Sequence, residues 1–115
     1  MTPTDETTVA FIAEIGETSR YLAARNDLYA SVMIAQAILE SDSGQSQLSQ
    51  KPLYNFFGIK GEYNGQSVTL PTWEDDGKGN PYHIDAAFRS YGSVENSLQD
   101  YVEFLEGSYY VGVQP

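Results

Sequence analysis

Between residues 53 and 91 the hydrophobic pattern changes its period, and that change limits the possible folds more than any other feature of the chain. On either side, apolar residues recur every three or four positions. Inside it they fall into short aromatic and β-branched stretches, "YNFFGIKG", "QSVTLPTW" and "YHIDAAFRSY", parted by "EYNG" and "EDDGKGNP". Stretches of this kind, bounded by glycine-containing turns, read as three strands of a small antiparallel sheet. The order helix, helix, sheet, helix predicts an α+β architecture with the sheet as a separate lobe.

Three helical patterns surround that lobe. In "TTVAFIAEIGETSRYLAARN" Val9, Phe11, Ile12, Ile15 and Leu22 recur at helical spacing after an acidic, Thr-rich start, which suits a helix N-terminus covering one side of a core. In the second, Leu28, Val32, Ala35 and Leu39 form one stripe and Ile34 and Ile38 an adjacent one. Little polar face is left, so this helix is expected to be buried nearly all round. The third, "SVENSLQDYVEFLEG", has Ser93 as N-cap, Glu95 in the first turn and Gly107 as the stop after Val94, Leu98, Tyr101 and Leu105.

A chain of 115 residues and 12.7 kDa suits one domain, residues 1–115, with one core. Sixteen acidic against six basic residues give a formal charge of −10, a surface that repels nucleic-acid phosphate. The chain has no cysteine, which leaves the compartment open between cytosol and a disulfide-free extracellular setting. No stretch reaches the roughly 18 apolar residues of a membrane span. The start lacks a basic segment followed by a long apolar one, so any export signal is expected outside this chain. Nine tyrosines supply rings with an apolar face and a polar tip, a composition found in clefts for sugars or peptides.

The apolar run "SVMIAQAILESDSG" closes on a carboxylate, Glu40. In the last turn of a buried helix, desolvation and the negative end of the helix dipole would both raise its pKa, which is how a general acid is made. Solvation of Glu40 beyond the end of the apolar stripe is the other reading of the same pattern. Gly44 suits the end of this helix. "EDDGKGN" reads as a solvated hairpin tip and lacks the ligand spacing of a calcium loop; no metal and no cofactor are expected. His83 suits a surface or structural place in its strand, and Arg89 a structural pairing with a carboxylate.

The motifs together carry a resemblance. "SVMIAQAILESDSGQSQLS", "YNFFGIKG", "TWE" and "AAFRSYGSVENSLQDYVEFL" follow in the order and at the spacing of the glucosaminidase domains of glycoside hydrolase family 73, the peptidoglycan-cleaving autolysins, over most of residues 8 to 107. What the resemblance implies is a lysozyme-like fold, a helical lobe and a small β-lobe with a sugar cleft between them, cutting the β-1,4 bond after N-acetylglucosamine in peptidoglycan glycan strands. It implies a monomer that is secreted or associated with the cell wall, of bacterial or phage origin. It makes Glu40 the general acid and gives Glu74 of "PTWED" the role of second carboxylate, with Asp75 and Asp76 as neighbouring competitors. Asn55, Phe57 and Gly58 match the family's Asn-x-Phe-Gly and are expected to line the cleft, with Trp73 and Tyr91 as further sugar contacts.

The chain also departs from that pattern. The usual Glu-Ser-Gly-Trp-Gly is here Glu40, Ser41, Asp42, Ser43 and Gly44, and Tyr54 replaces the first Asn of an Asn-Asn pair. The family's C-terminal helical segment, with its active-site tyrosine, is expected to be missing after "SYYVGVQP", leaving Tyr109 or Tyr110 as substitutes. The resemblance therefore leaves two functions open, a glycan hydrolase or a catalytically impaired peptidoglycan-binding module on the same fold.

Overall fold

The computed structural model describes residues 6–113, with side chains as far as 106. Three helices, α1 (Glu6–Arg25), α2 (Ala30–Ser41) and α3 (Val94–Val113), surround a core, and one hairpin, β1 (Ser67–Asp75) and β2 (Pro81–Arg89), projects from them. α1 packs on both α2 and α3. The mixed α+β reading holds, as does the order of elements. Among the described residues no helix is long and apolar enough to cross a membrane.

The buried stripe of α1 is Thr8, Phe11, Ile15, Ser19 and Leu22, spaced at three and four residues, so it faces the core as a period of 3.6 requires. Val9 falls off the stripe and is exposed. α2 differs more from expectation. Its buried line is Met33, Ala37 and Ser41, with Ile34 and Ile38 half-buried, while Val32 is exposed and Leu39 is 80% exposed. The helix is thus buried along one line and open on much of the rest. Uniform hydrophobicity hid which line would be chosen.

The end of α2 is also set differently. Asp42, not Gly44, takes the left-handed capping conformation (φ 53°, ψ 53°), and Ser43 N–H returns to Ile38 O at 2.9 Å. Aspartate tolerates this region better than most residues. Ser43 and Gly44 continue with φ of 55° and 80°. The Ser41 hydroxyl bridges the turn, donating to Ala37 O at 2.5 Å and accepting from Gly44 N–H at 2.8 Å. This tight reversal brings Gly44 against Phe11, where a Cβ would lie 2.6 Å from Cδ1 of the ring.

The expected first strand is absent. Residues 54–61 form a loop in which only Lys60 pairs with β2, opposite Phe88, so the sheet has two strands and not three. Tyr54 and Gly58 have φ of 49° and 66°, which no strand accommodates. Asn55 holds the loop: its Oδ1 accepts from Ile59 N–H at 3.0 Å, and its Nδ2 donates to Ile59 O at 2.9 Å and Arg89 O at 3.0 Å. At Asn64–Gly65, two positive φ values and reciprocal bonds between Tyr63 and Gln66 make the tight turn expected of "NG".

Ser93 caps α3, accepting from Asn96 N–H at 3.1 Å. The helix does not stop at Gly107 but runs to Val113. One glycine costs a helix interior only about 1 kcal/mol, too little to end it.

Replacing Gly44 with Ala should cost roughly 2–4 kcal/mol, from positive φ and the Phe11 overlap together. Gly65, also at positive φ but with nothing near its Cβ position, should lose only about 1–2 kcal/mol on the same change. Urea denaturation of the two variants checks the difference.

Candidate active site

Glu40 stands in the last turn of α2, one turn beyond Gln36, so the two side chains share a face of the helix. The phenol of Tyr101, reaching across from α3, donates to Gln36 Oε1. The Tyr101 ring lies flat on Phe57, with centroids 3.8 Å apart and planes 10° from parallel. Burial pushes the Tyr101 phenol above its ordinary pKa, and the charge of Glu40 adds to the push. Glu40, Gln36, Tyr101 and Phe57 are therefore one cluster, assembled from α2, α3 and the 54–61 loop. Glu40 itself is exposed, so the expected desolvation by a surrounding helix is not what the protein provides. Hollows of about 460 and 550 Å³ open along α1 and one of about 430 Å³ along the end of α2, and none of these three contains Glu40 or Glu74.

The β-lobe sorts its three neighbouring acids. Asp75 Oδ1 accepts from Gly77 N–H (2.7 Å) and Gly79 N–H (3.1 Å). Asp76 accepts from Lys78 N–H, Asn80 N–H and the Asn80 side chain, and these bonds, the side-chain one foremost, hold its carboxyl below the usual range. Both aspartates build the hairpin tip. Glu74 stays outside that turn, and its Oε1 pairs with Lys60 Nζ at 2.6 Å. Trp73 is 65% exposed and meets His83, its cross-strand partner, edge-on at 3.6 Å. Adjacent strand residues point to opposite faces, so Trp73 lies on the other side of the ribbon from Glu74.

Two other expected sugar contacts are interior residues. Asn55 is 1% exposed, with both amide N–H groups and its Oδ1 bonded to Ile59 and Arg89, so it is turned away from any N-acetyl group at the surface. Tyr91 is 2% exposed and donates to Asp100 Oδ2 at 2.6 Å. Arg89 pairs with the same oxygen at 2.7 Å, the structural role its sequence position suggested. Phe57 is half-buried, stacked on Tyr101, and Gly58 is exposed beside it. Tyr109 and Tyr110 lie outside the side chains described. Sequence reasoning missed Gln36 and Tyr101 as site residues. The four-residue spacing of Gln36 to Glu40 could have found the first; Tyr101 read only as one more apolar position of α3.

Among the described residues no group of three or more His, Cys, Asp or Glu side chains could hold a metal ion. A profile described as mannosyl-glycoprotein endo-beta-N-acetylglucosaminidase, the glucosaminidase family, matches residues 16–114. The chain belongs to the glucosaminidase family. It is 51% identical over 96 residues to an autolysin of Enterococcus faecalis, covering 84% of this chain and 13% of that protein. It is 40% identical over 99 residues to the exo-glucosaminidase LytG of Bacillus subtilis, covering 85% and 34%. The catalytic domain of the Listeria monocytogenes autolysin Auto superposes with a TM-score of 0.84 at 45% identity, covering 97% of this chain and 67% of that one. The α+β fold of this glucosaminidase domain is thus of the lysozyme-like kind expected. The chain spans only about an eighth to a third of the length of these two curated relatives.

In this glucosaminidase domain the Tyr91 phenol is held well above its ordinary value, first by burial and then by the Asp100 carboxylate. The folded state therefore keeps a proton that the unfolded chain releases above about pH 10. Its stabilisation is complete below about pH 10 and is lost as the pH rises beyond it. Folding stability of the wild type should fall more steeply between pH 9 and 11 than that of Tyr91→Phe, as measured by urea melts across that range.

Proposed function

We propose that this domain hydrolyses bacterial cell-wall glycan, cutting the β-1,4 bond after N-acetylglucosamine, with Glu40 as general acid and Glu74 as the second carboxylate. The observation that carries this reading is the Glu40 cluster. A carboxylate at the end of α2, flanked by an amide that Tyr101 orients and an aromatic stack that Phe57 and Tyr101 make, has the parts that protonate and hold a sugar. Its family membership and its likeness to proteins named autolysin, exo-glucosaminidase and peptidoglycan hydrolase support the same substrate. So does the exposure of Glu40, which leaves its carboxyl within reach of a polymer. The site of action that follows is the cell wall.

In this mechanism the glycan strand itself completes the site. Laid along α2 and the loop, it excludes water from Glu40, which donates its proton to the leaving oxygen as the glycosidic bond breaks. Positive charge then develops on the sugar ring. Glu74, arriving from the hairpin, stabilises that charge or directs the attacking water. The separation of the two carboxylates, roughly 6.5–9.5 Å for inversion and 5–5.5 Å for direct retention, is set by how the hairpin is held. Gln36 turns its Oε1 to Tyr101 and is left with N–H donors for an acceptor oxygen of the sugar.

Glu40→Gln should lower wall hydrolysis by about 10²–10⁴-fold with an unchanged thermal midpoint, since the side chain is exposed. Turbidity loss of purified bacterial walls measures the rate. Equal rates for the two proteins would overturn the assignment and leave a glycan-binding module.

A further inference from the structure

The hairpin is a ribbon with little to lean on in its distal part: Pro81 to Asp85 of β2 are all exposed and β1 alternates between half-buried and exposed. Its base is firm. Arg89 N–H bonds Ile59 O at 3.1 Å, Gly61 N–H bonds Ala87 O at 2.9 Å, and Lys60 pairs with Phe88. Its far end, where Glu74 sits opposite Tyr82, has no such backbone partner besides its own strands among the described residues.

Register shows what the Lys60–Glu74 pair demands. Phe88 is paired with Lys60 on one side and with Val68 on the other. Glu74 lies six residues beyond Val68 along β1, about 20 Å on a straight strand at roughly 3.3 Å per residue. That exceeds what a lysine and a glutamate side chain reach together, yet their atoms meet at 2.6 Å. The ribbon therefore curls back over the 54–61 loop, with the half-buried face of Val68, Leu70, Thr72 and Glu74 inside the curl. Two-stranded ribbons twist strongly enough to allow this. Among the described residues only two ion pairs are present, and this is the one that ties the distal half of the ribbon to the rest of the protein.

We infer that Lys60 is the positioning residue for Glu74: it clasps the curled hairpin so that the β-lobe carboxylate is carried over the loop that bears Phe57. This rests on the role given to Glu74 above. Lys60 is itself well placed to be a fixed post. Its carbonyl accepts from Arg89 Nε at 3.1 Å, and Arg89 is anchored on Asp100 of α3. The carboxylate on the arm is thereby referred back to the helical lobe that carries Glu40. The pair is largely solvated, with side chains 52% and 33% exposed, so the clasp is weak and sensitive to salt.

Trp73, the only tryptophan in the chain, is next to Glu74 and reports on the ribbon without any need for activity. At low ionic strength, Lys60→Met should change the emission and lower the anisotropy of Trp73 and reduce kcat on purified glycan strands roughly three- to ten-fold, with KM within about two-fold. Lys60→Arg should restore both readouts. In 1 M NaCl, where the Debye length is about 3 Å, wild type and Lys60→Met should converge in both. Unchanged Trp73 fluorescence in Lys60→Met at low salt overturns the clasp. A fluorescence change with no change in kcat, while Glu74→Gln still slows the reaction, overturns the positioning role. If Glu74→Gln leaves the rate unaltered, the assignment of Glu74 as second carboxylate is what fails, and the Trp73 readout alone decides whether Lys60 holds the ribbon.

Discussion

One carboxylate holds the two lobes of this domain together. Asp100 Oδ2, near the middle of α3, accepts from Arg89 Nη1 and from the Tyr91 hydroxyl, at the point where β2 gives way to the turn before that helix. Arg89 also reaches the carbonyl of Lys60 through Nε. A helix, the end of a strand and the 54–61 loop thus share one centre. Hydrogen bonds to charged groups contribute roughly 1.5–3 kcal/mol each, and these are largely out of solvent, so the geometry of the junction is firmly fixed. Everything distal to it, including the hairpin and Glu74, inherits its orientation from there.

Asn55 does for the loop what Asp100 does for the junction. A loop that turns through positive φ at Tyr54 and Gly58 leaves backbone groups without ladder partners, and the Asn55 amide replaces the ladder by bonding Ile59 on both sides and Arg89 across. The Asn-x-Phe-Gly motif is therefore first a folding motif. Its asparagine turns inward so that Phe56 enters the core, against Phe11, and the half-buried Phe57 stacks on the buried Tyr101.

How much of this could be read in the sequence depended on how far apart the interacting residues are. The α3 cap at Ser93, the tight Asn64–Gly65 turn and the hairpin tip are local, decided within four residues, and the sequence carried them. The number of strands was misread because β-branched and aromatic content at 54–61 resembles a strand, whereas three side-chain bonds from a single Asn decide otherwise. The burial of α2 was misread for a related reason. An evenly apolar helix gives no preferred face, and Leu39 stays exposed while Met33 and Ala37 go inward.

Composition, period and motif spacing by themselves determined that this chain is α+β, that Glu40 falls in the last turn of the second helix and that Glu74 lies in the run of three acids where the hairpin turns. Motif order also tied it to the glucosaminidases. Only the tertiary structure decided which of the named residues meet. It set Gln36 and Tyr101 beside Glu40, turned Asn55 and Tyr91 inward, put Trp73 and Glu74 on opposite faces, and curled the ribbon until Glu74 met Lys60. The reason is physical: local sequence fixes torsions and short-range hydrogen bonds, while the partner of a long side chain is fixed by packing between segments tens of residues apart.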